Sequence, residues 1–214
     1  MKDRLIRNLI FDLGGVLFQI DYDAPVRAFR SLGSPDFDHL FSQTIQRPEF
    51  DLIETGQISD EDFLNFLEEV SGVRDKDALR KAWNSILIGP WVERIRLVEE
   101  LKAEGYRTFL LSNTNALHVK DFEAMMASHT GAERFREAFE AVHYSNEIGM
   151  RKPDPRVFDW VCQVNGLIPE ETLFIDDSAQ HIKGATSVGL RARLLSSDIS
   201  LEDLLRQEKV FVRV

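Results

Sequence analysis

The stretch Leu9-Ile10-Phe11-Asp12-Leu13-Gly14-Gly15-Val16-Leu17 decides the reading of this chain. An apolar run of strand length ends in a carboxylate, and a Gly-Gly pair breaks it at once. Taken alone, a strand-end aspartate serves a turn as readily as it serves chemistry. The two glycines tilt the balance, because they let backbone N–H groups come close to an anion. A carboxylate beside such a loop can attack phosphorus and form an aspartyl-phosphate.

Outward from Asp12, strand-like and helix-like segments alternate, which predicts α/β architecture with a parallel sheet. The first strand is expected over residues 5–13. Residues 21–88 carry helical patterns and no convincing buried strand. Ser59-Asp60-Glu61-Asp62 opens one of these helices in the manner of a capping box, with Phe63, Phe66, Leu67 and Val70 as its apolar stripe. Gly89-Pro90 marks a boundary, with Pro90 suited to the first turn of a helix that carries Trp91, Ile95, Val98 and Leu101 and stops at Gly105. Further strands are expected over 106–112, 141–144, 172–175 and 191–195, and a short edge strand over 211–214. Helices are expected over 118–128, from Pro153 and Pro155 to Gly166, and up to Gly189. The core is thus discontinuous: residues 1–19 and 90–214 form it, and residues 20–89 form a helical insertion. The expected fold is a Rossmann-like parallel sheet between two helical layers, an αβα sandwich, with a helical cap domain.

Composition sets the outer limits. The chain has 214 residues, of which 43% are hydrophobic and 29% charged, as in an ordinary globular enzyme. No apolar run reaches the length that spans a bilayer. The N-terminal residues do not read as a signal peptide, since Asn8 and Asp12 interrupt the apolar stretch and no small-residue cleavage site follows. The single Cys162 has no partner for an internal disulfide, which fits a reducing cytoplasm. A net charge of −10 repels nucleic acid and anionic lipid, so neither is an expected partner. It repels an anionic substrate equally, so a phosphate site has to be locally positive, built from a metal, a lysine and backbone N–H groups.

Three more segments carry candidate chemistry at strand ends, where open α/β sheets bind ligands. Ser112-Asn113-Thr114-Asn115 follows Phe109-Leu110-Leu111 and offers a hydroxyl and amides to phosphate oxygens, or caps the helix after it. Gly149-Met150-Arg151-Lys152-Pro153-Asp154 is a basic turn whose Lys152 can neutralise both nucleophile and phosphate, or simply face solvent. Phe174-Ile175-Asp176-Asp177-Ser178 ends a strand with paired carboxylates, the ligand type Mg²⁺ prefers, or a helix cap. Each signal is weak alone; one Asp, one Ser, one Lys and an Asp pair in this order are not. His118, after Asn115-Ala116-Leu117, is placed either on the surface of its helix or at the seam between cap and core. Trp91 and the phenylalanines read as packing residues.

In these segments the chain resembles the haloacid-dehalogenase-like hydrolase superfamily. The resemblance spans essentially the full length: FDLGGVL, LLSNTN, GMRKPD and FIDDS in order, and the helical insertion, which in that family covers the active site. It is closest to a bacterial branch containing sugar-phosphate phosphatases, among them a glucose-1-phosphate phosphatase, whose cap segment is similar to Gly56-Gln57-Ile58-Ser59. The resemblance implies a Mg²⁺-dependent phosphatase acting on a small phosphorylated metabolite, such as an aldose 1-phosphate. It implies Asp12 as nucleophile and magnesium ligand, with the Gly14 carbonyl as a further ligand and Asp176 and Asp177 completing the metal site. Ser112 and Asn113 would hold the phosphate, and Lys152 would be its counter-charge.

One position departs from the family's pattern. Most phosphatases of this superfamily carry a second Asp two residues after the nucleophile, and Gly14 stands there. General acid–base help is worth roughly 100- to 10,000-fold. Asp21 is the preferred substitute, with Asp23 and the cap residue Glu54 as others; the competing reading of Asp21 is a cap on the first helix of the insertion. A substrate with a good leaving group would need no substitute. A metal-independent 2-haloacid dehalogenase, whose halide needs no proton, is the enzymatic alternative. A phosphate-ligand binding protein with impaired catalysis is the non-enzymatic one.

Overall fold

A computed structural model describes residues 5–35, 37–39, 47–130 and 132–210. Five parallel strands form the main sheet in the order β5-β4-β1-β6-β7. They are β1 (Asn8–Phe11), β4 (Arg107–Ser112), β5 (Ala141–Tyr144), β6 (Thr172–Asp176) and β7 (Arg191–Leu194), while β2 (Phe18–Ile20) and β3 (Leu87–Pro90) pair apart from it. Helices α1 (Asp23–Ser31), α2 (Pro48–Glu54), α3 (Asp60–Ser71) and α4 (Lys76–Asn84) lie between β2 and β3. Helices α5 (Val92–Ala103), α6 (Ala116–Thr130), α7 (Ala132–Glu137), α8 (Ser145–Ile148), α9 (Pro155–Asn165), α10 (Ala179–Ser187) and α11 (Leu201–Gln207) accompany the main sheet.

The strands alternate their side chains between two buried faces, which is why they read as continuous apolar runs. On one face Leu9, Phe11, Leu110, Leu173 and Ile175 pack with α5, α6, α7 and α11, through residues such as Val98, Phe122, Phe135 and Leu204. On the other, Ile10, Phe109, Leu111 and Phe174 pack with α9 and α10, through Val157, Phe158, Val161 and Ala185. Burying each such side chain stabilises the fold by about 1.5–3 kcal/mol. The expected parallel α/β sheet with helices on both faces is therefore the one found.

The helical insertion has an apolar centre of its own. Phe29, Phe50, Phe63, Leu67, Leu79 and Trp83 are buried there. The Phe63 ring stands 5.1 Å from Trp83 and 5.7 Å from Phe50, edge to face in both cases. The Ser59 hydroxyl caps α3 by accepting from the Asp62 N–H at 3.1 Å, as the sequence predicts.

Two expectations change at the ends of the insertion. Pro90 does not open a helix; it ends β3, and α5 begins at Val92. Residues 87–90 lie antiparallel to Phe18–Ile20, a pairing that three- and four-residue strands without alternation do not announce in sequence. The 118–128 helix is longer, Ala116–Thr130, and a further helix, α11, follows the last strand of the sheet. The edge strand expected over 211–214 lies outside the described residues. Among the described residues no helix is long and apolar enough to cross a membrane.

Candidate active site

Parallel register gathers the strand-end residues. Phe11 pairs with Leu110 of β4 and with Ile175 of β6, and the Asp12 N–H donates to the Ile175 carbonyl at 2.9 Å. Asp12 is thereby set beside Asp176, while Ser112 ends β4 on its other flank. The chain runs outward from β1 in both directions, so this edge is the topological switch point.

Lys152 arrives from the loop between α8 and α9 and is 0% exposed. Its ammonium donates to Asp12 Oδ1 at 2.7 Å and to Asp176 Oδ2 at 2.6 Å. Burial works against the ammonium, but Asp12 and Asp176 outweigh it and hold its pKa above the ordinary value. Burial likewise works against an ionised Asp176, yet Lys152 and His181 bring its carboxyl down to about 2. Asp12 has fewer supports. Burial pushes it up to about 7 against the pull of Lys152, and the charges of Asp176 and Asp177 add to the rise. Burial and then Asp176 push Asp177 up to about 6.

Asp12, Asp176 and Asp177 each offer a carboxylate oxygen, all within 4.8 Å of one another. Three carboxylates against one ammonium leave the edge short of positive charge, and every donor is a hard oxygen. That donor set fits Mg²⁺. Gly15 makes room for the Asp177 side chain: its φ is +74°, and a Cβ there would come within 2.2 Å of Asp177 Oδ2. The Gly15 N–H, however, donates to the Phe18 carbonyl at 2.9 Å. The pair therefore serves a tight turn against Asp177, and this N–H does not wait for an anion. Gly14 lines the same cavity as Asp12.

Asn113 lines the cavity with its side-chain amide already engaged. Its side-chain oxygen accepts from the Lys152 N–H at 2.9 Å, and its side-chain nitrogen donates to the Lys152 carbonyl at 2.8 Å. The side-chain amide thus fastens the lysine's main chain. Ser112 lines the cavity beside it. His181, which no sequence signal singled out, supports Asp176 Oδ1 at 2.9 Å, and the Ser178 N–H donates to the same oxygen at 2.8 Å.

Asp21 is not at this site. Its side chain is 35% exposed and takes the Arg27 guanidinium at 2.5 Å. Its other oxygen accepts the Asp23 N–H at 2.9 Å, at the start of α1. The bond from Arg27 holds its carboxyl below the usual range, the opposite of what a neutral-pH acid needs. The Asp21 carboxylate serves the start of α1 instead, while its neighbours Ile20 and Tyr22 line the cavity.

The cavity in front of the edge has a volume of about 640 Å³, and the insertion closes part of its wall with Tyr22, Asp51, Glu54 and Trp83. Glu54 is 15% exposed, and burial pushes its carboxyl up to about 7, with Lys152 pulling down and Asp12 pushing up. Arg151 reaches across from the core to pair with Asp51 and to stand 3.1 Å from Glu54 Oε2. His118 is buried at this seam, stacked on Trp83 at 4.9 Å between ring centroids. Burial drives its pKa down to about 4, so the ring is neutral. The surface reading of His118 is corrected: α6 presents this side chain to the insertion.

Comparison with known proteins gives one consistent result. A family model described as haloacid dehalogenase-like hydrolase matches residues 6–189. A D-ribitol-5-phosphate phosphatase from Bacteroides thetaiotaomicron is 28% identical over 186 residues, covering 86% of this chain and 89% of that protein. A wild-type HAD family enzyme from the same organism, solved with magnesium and inorganic phosphate, is 30% identical. It covers 94% of this chain and 100% of its own, with a TM-score of 0.79. A predicted HAD-like hydrolase from Porphyromonas gingivalis is 28% identical over 95% of this chain and 98% of its own, with a TM-score of 0.83.

Proposed function

The chain belongs to the haloacid dehalogenase-like hydrolase family, and from that premise we propose that it is a Mg²⁺-dependent phosphatase of small phosphate monoesters, working through an aspartyl-phosphate on Asp12. The observation that carries this reading is the buried Lys152 bridging Asp12 and Asp176 beside a third carboxylate, Asp177. Asp12, Asp176 and Asp177 would hold the cation. When bound, it supplies positive charge that keeps the carboxylates ionised and offsets charge on the transferring group.

The chain's own residues supply the remainder. An Asp12 oxygen attacks phosphorus while Lys152, kept charged by Asp176, faces the phosphoryl oxygens. Asn113 holds Lys152 in place through its backbone, and Ser112 offers a hydroxyl to the same oxygens. The insertion, acting as a cap, limits access of water to the cavity. Polar cap groups, Tyr22 and Asp51, suit a hydroxyl-rich ester, which agrees with the similarity to a ribitol-5-phosphate phosphatase. A sugar or sugar-alcohol phosphate is the proposed substrate class. The dehalogenase alternative is the weaker one, since displacement of halide from carbon gives three clustered carboxylates no task.

A panel of sugar and polyol phosphates, assayed for phosphate release with Mg²⁺ and with EDTA, tests the proposal. Turnover is expected only with the metal. Asp12→Asn is expected to lower it by roughly 10⁴-fold or more. Unchanged turnover in Asp12→Asn, or halide release from a 2-haloacid without metal, would overturn it.

A further inference from the structure

Gly14 leaves the reaction without its proton donor, and the groups around the cavity narrow the choice of a replacement. Asp21 lies outside it, bound to Arg27. Asp154 carries Arg156, and Asp51, 59% exposed, shares Arg151 with the more buried Glu54. His181 is engaged by Asp176. The His118 ring is neutral and stacked under Trp83. The Tyr22 hydroxyl sits among four carboxylates, and burial first and their charges next raise its pKa, so it has no tendency to ionise. Glu54 is different. Its Oε2 is wholly buried without a hydrogen bond, and its carboxyl is near enough to Asp12 and Lys152 for both charges to act on it.

The position of Glu54 is set by backbone contact as well as by charge. The turn after α2 passes over the core at Gly56, where a Cβ would meet the Asn146 carbonyl at 2.3 Å. Only a glycine at φ +65° lets this turn lie so close. Arg151 Nη2 stands 3.1 Å from Glu54 Oε2 without an aligned hydrogen bond, and the Arg151 Nε is also buried without a partner. Burial favours the neutral acid and the Lys152 ammonium favours the carboxylate. A group that must give and then take a proton needs both forms within reach.

We infer that Glu54 is the catalytic acid and base of this site, delivered by the cap in place of the missing second aspartate. This rests on the phosphatase reading above. As the Asp12 oxygen bonds to phosphorus, the bond from phosphorus to the ester oxygen breaks, and the Glu54 proton passes to that oxygen to give the free alcohol. The Glu54 carboxylate then takes a proton from water. The water oxygen bonds to phosphorus, the bond to Asp12 breaks, and inorganic phosphate leaves with Asp12 and Glu54 restored.

The test compares Glu54→Gln, which keeps size and shape, with wild type on p-nitrophenyl phosphate, phenyl phosphate and D-ribitol 5-phosphate in single-turnover and steady-state assays. Nitrophenolate leaves without a proton, so Glu54→Gln is expected to give a near-normal first turnover with it, then slow release from a phosphorylated enzyme. The first turnover with the other two esters is expected to fall roughly 100- to 10,000-fold. Glu54→Asp, which keeps the carboxyl, is expected to recover part of this loss. An equal fall on all three esters, a rise in KM with kcat intact, or no change would overturn the inference. If Asp12→Asn is inactive while Glu54→Gln behaves as wild type, this inference fails alone; if Asp12→Asn stays active, the phosphatase reading fails with it.

Discussion

The carboxylate edge of the sheet and the helical insertion face the same cavity but are held in place by different physics. At the edge, Asp12, Lys152 and Asp176 are located by strand register and by two charge-assisted hydrogen bonds of 2.6 and 2.7 Å. The insertion is located by aromatic packing inside itself and by a few contacts across the seam. Asn84 donates to the Leu117 carbonyl at 3.0 Å and to Asp121 at 2.7 Å, Trp83 stacks on His118, and Arg151 reaches Asp51. The first region loses geometry when a charge is removed. The second loses it when volume or a close contact changes.

Lys152→Met tests the first half of that contrast and carries the largest expected effect. It leaves two buried carboxylates without their partner, a loss of about 3–5 kcal/mol, and turnover is expected to fall at least ~10³-fold. Urea midpoints and kcat report both. A variant as stable as wild type would show that charge pairing does not hold the edge. Phe63→Ala tests the second half. It is expected to cost about 3–5 kcal/mol, with hydrogen exchange rising in α2, α3 and α4 while β1, β4 and β6 stay protected. Uniform loss of protection would mean that the two regions unfold as one.

The seam itself has a pH signature. His118 is buried with a pKa depressed to about 4 from its ordinary 6.5. The unfolded chain therefore binds a proton that the folded chain refuses between these values. Stability is complete above the unfolded pKa and is lost as pH falls from about 6.5 toward 4, by up to about 3 kcal/mol. His118→Asn is expected to flatten that part of the stability profile measured by chemical denaturation; an unchanged slope would remove His118 as its source. The smallest effect is expected of Gly56→Ala. Its strain of about 1–3 kcal/mol falls on the turn that rests against Asn146, so the expected result is a lower kcat toward D-ribitol 5-phosphate with the sheet unperturbed.

The same contrast explains what the sequence could reveal. At the edge, Asp12, Ser112 and Asp176 each end an apolar run, Lys152 lies in a connecting loop, and a parallel sheet collects these ends on one side. Asp12, Ser112, Lys152 and Asp176-Asp177 could therefore be gathered from spacing alone. The roles of Asn113 and His181 could not, because they depend on a backbone and a carboxylate far along the chain. Asp21 draws attention by lying close to Asp12 in sequence, yet its carboxylate is taken by Arg27 and the Asp23 N–H while its neighbours Ile20 and Tyr22 face the cavity. Glu54 is remote in sequence and reaches the site only because α2 ends beside Arg151. The pairing of β2 with β3 was invisible for the same reason: each strand is too short to carry a pattern of its own.

That pairing also governs what the core can tolerate. Phe18 lies opposite Pro90, so the chain leaves the core and returns to it within one strand spacing. For the core, the whole excursion is a loop of almost no span. The entropy of closing a flexible loop grows only as the logarithm of its length, about 0.6 kcal/mol per doubling. The core therefore tolerates a longer or shorter segment at this ribbon at little entropic cost, and a replacement that keeps a carboxyl where Glu54 stands changes what enters the cavity while the aspartates beneath keep their places.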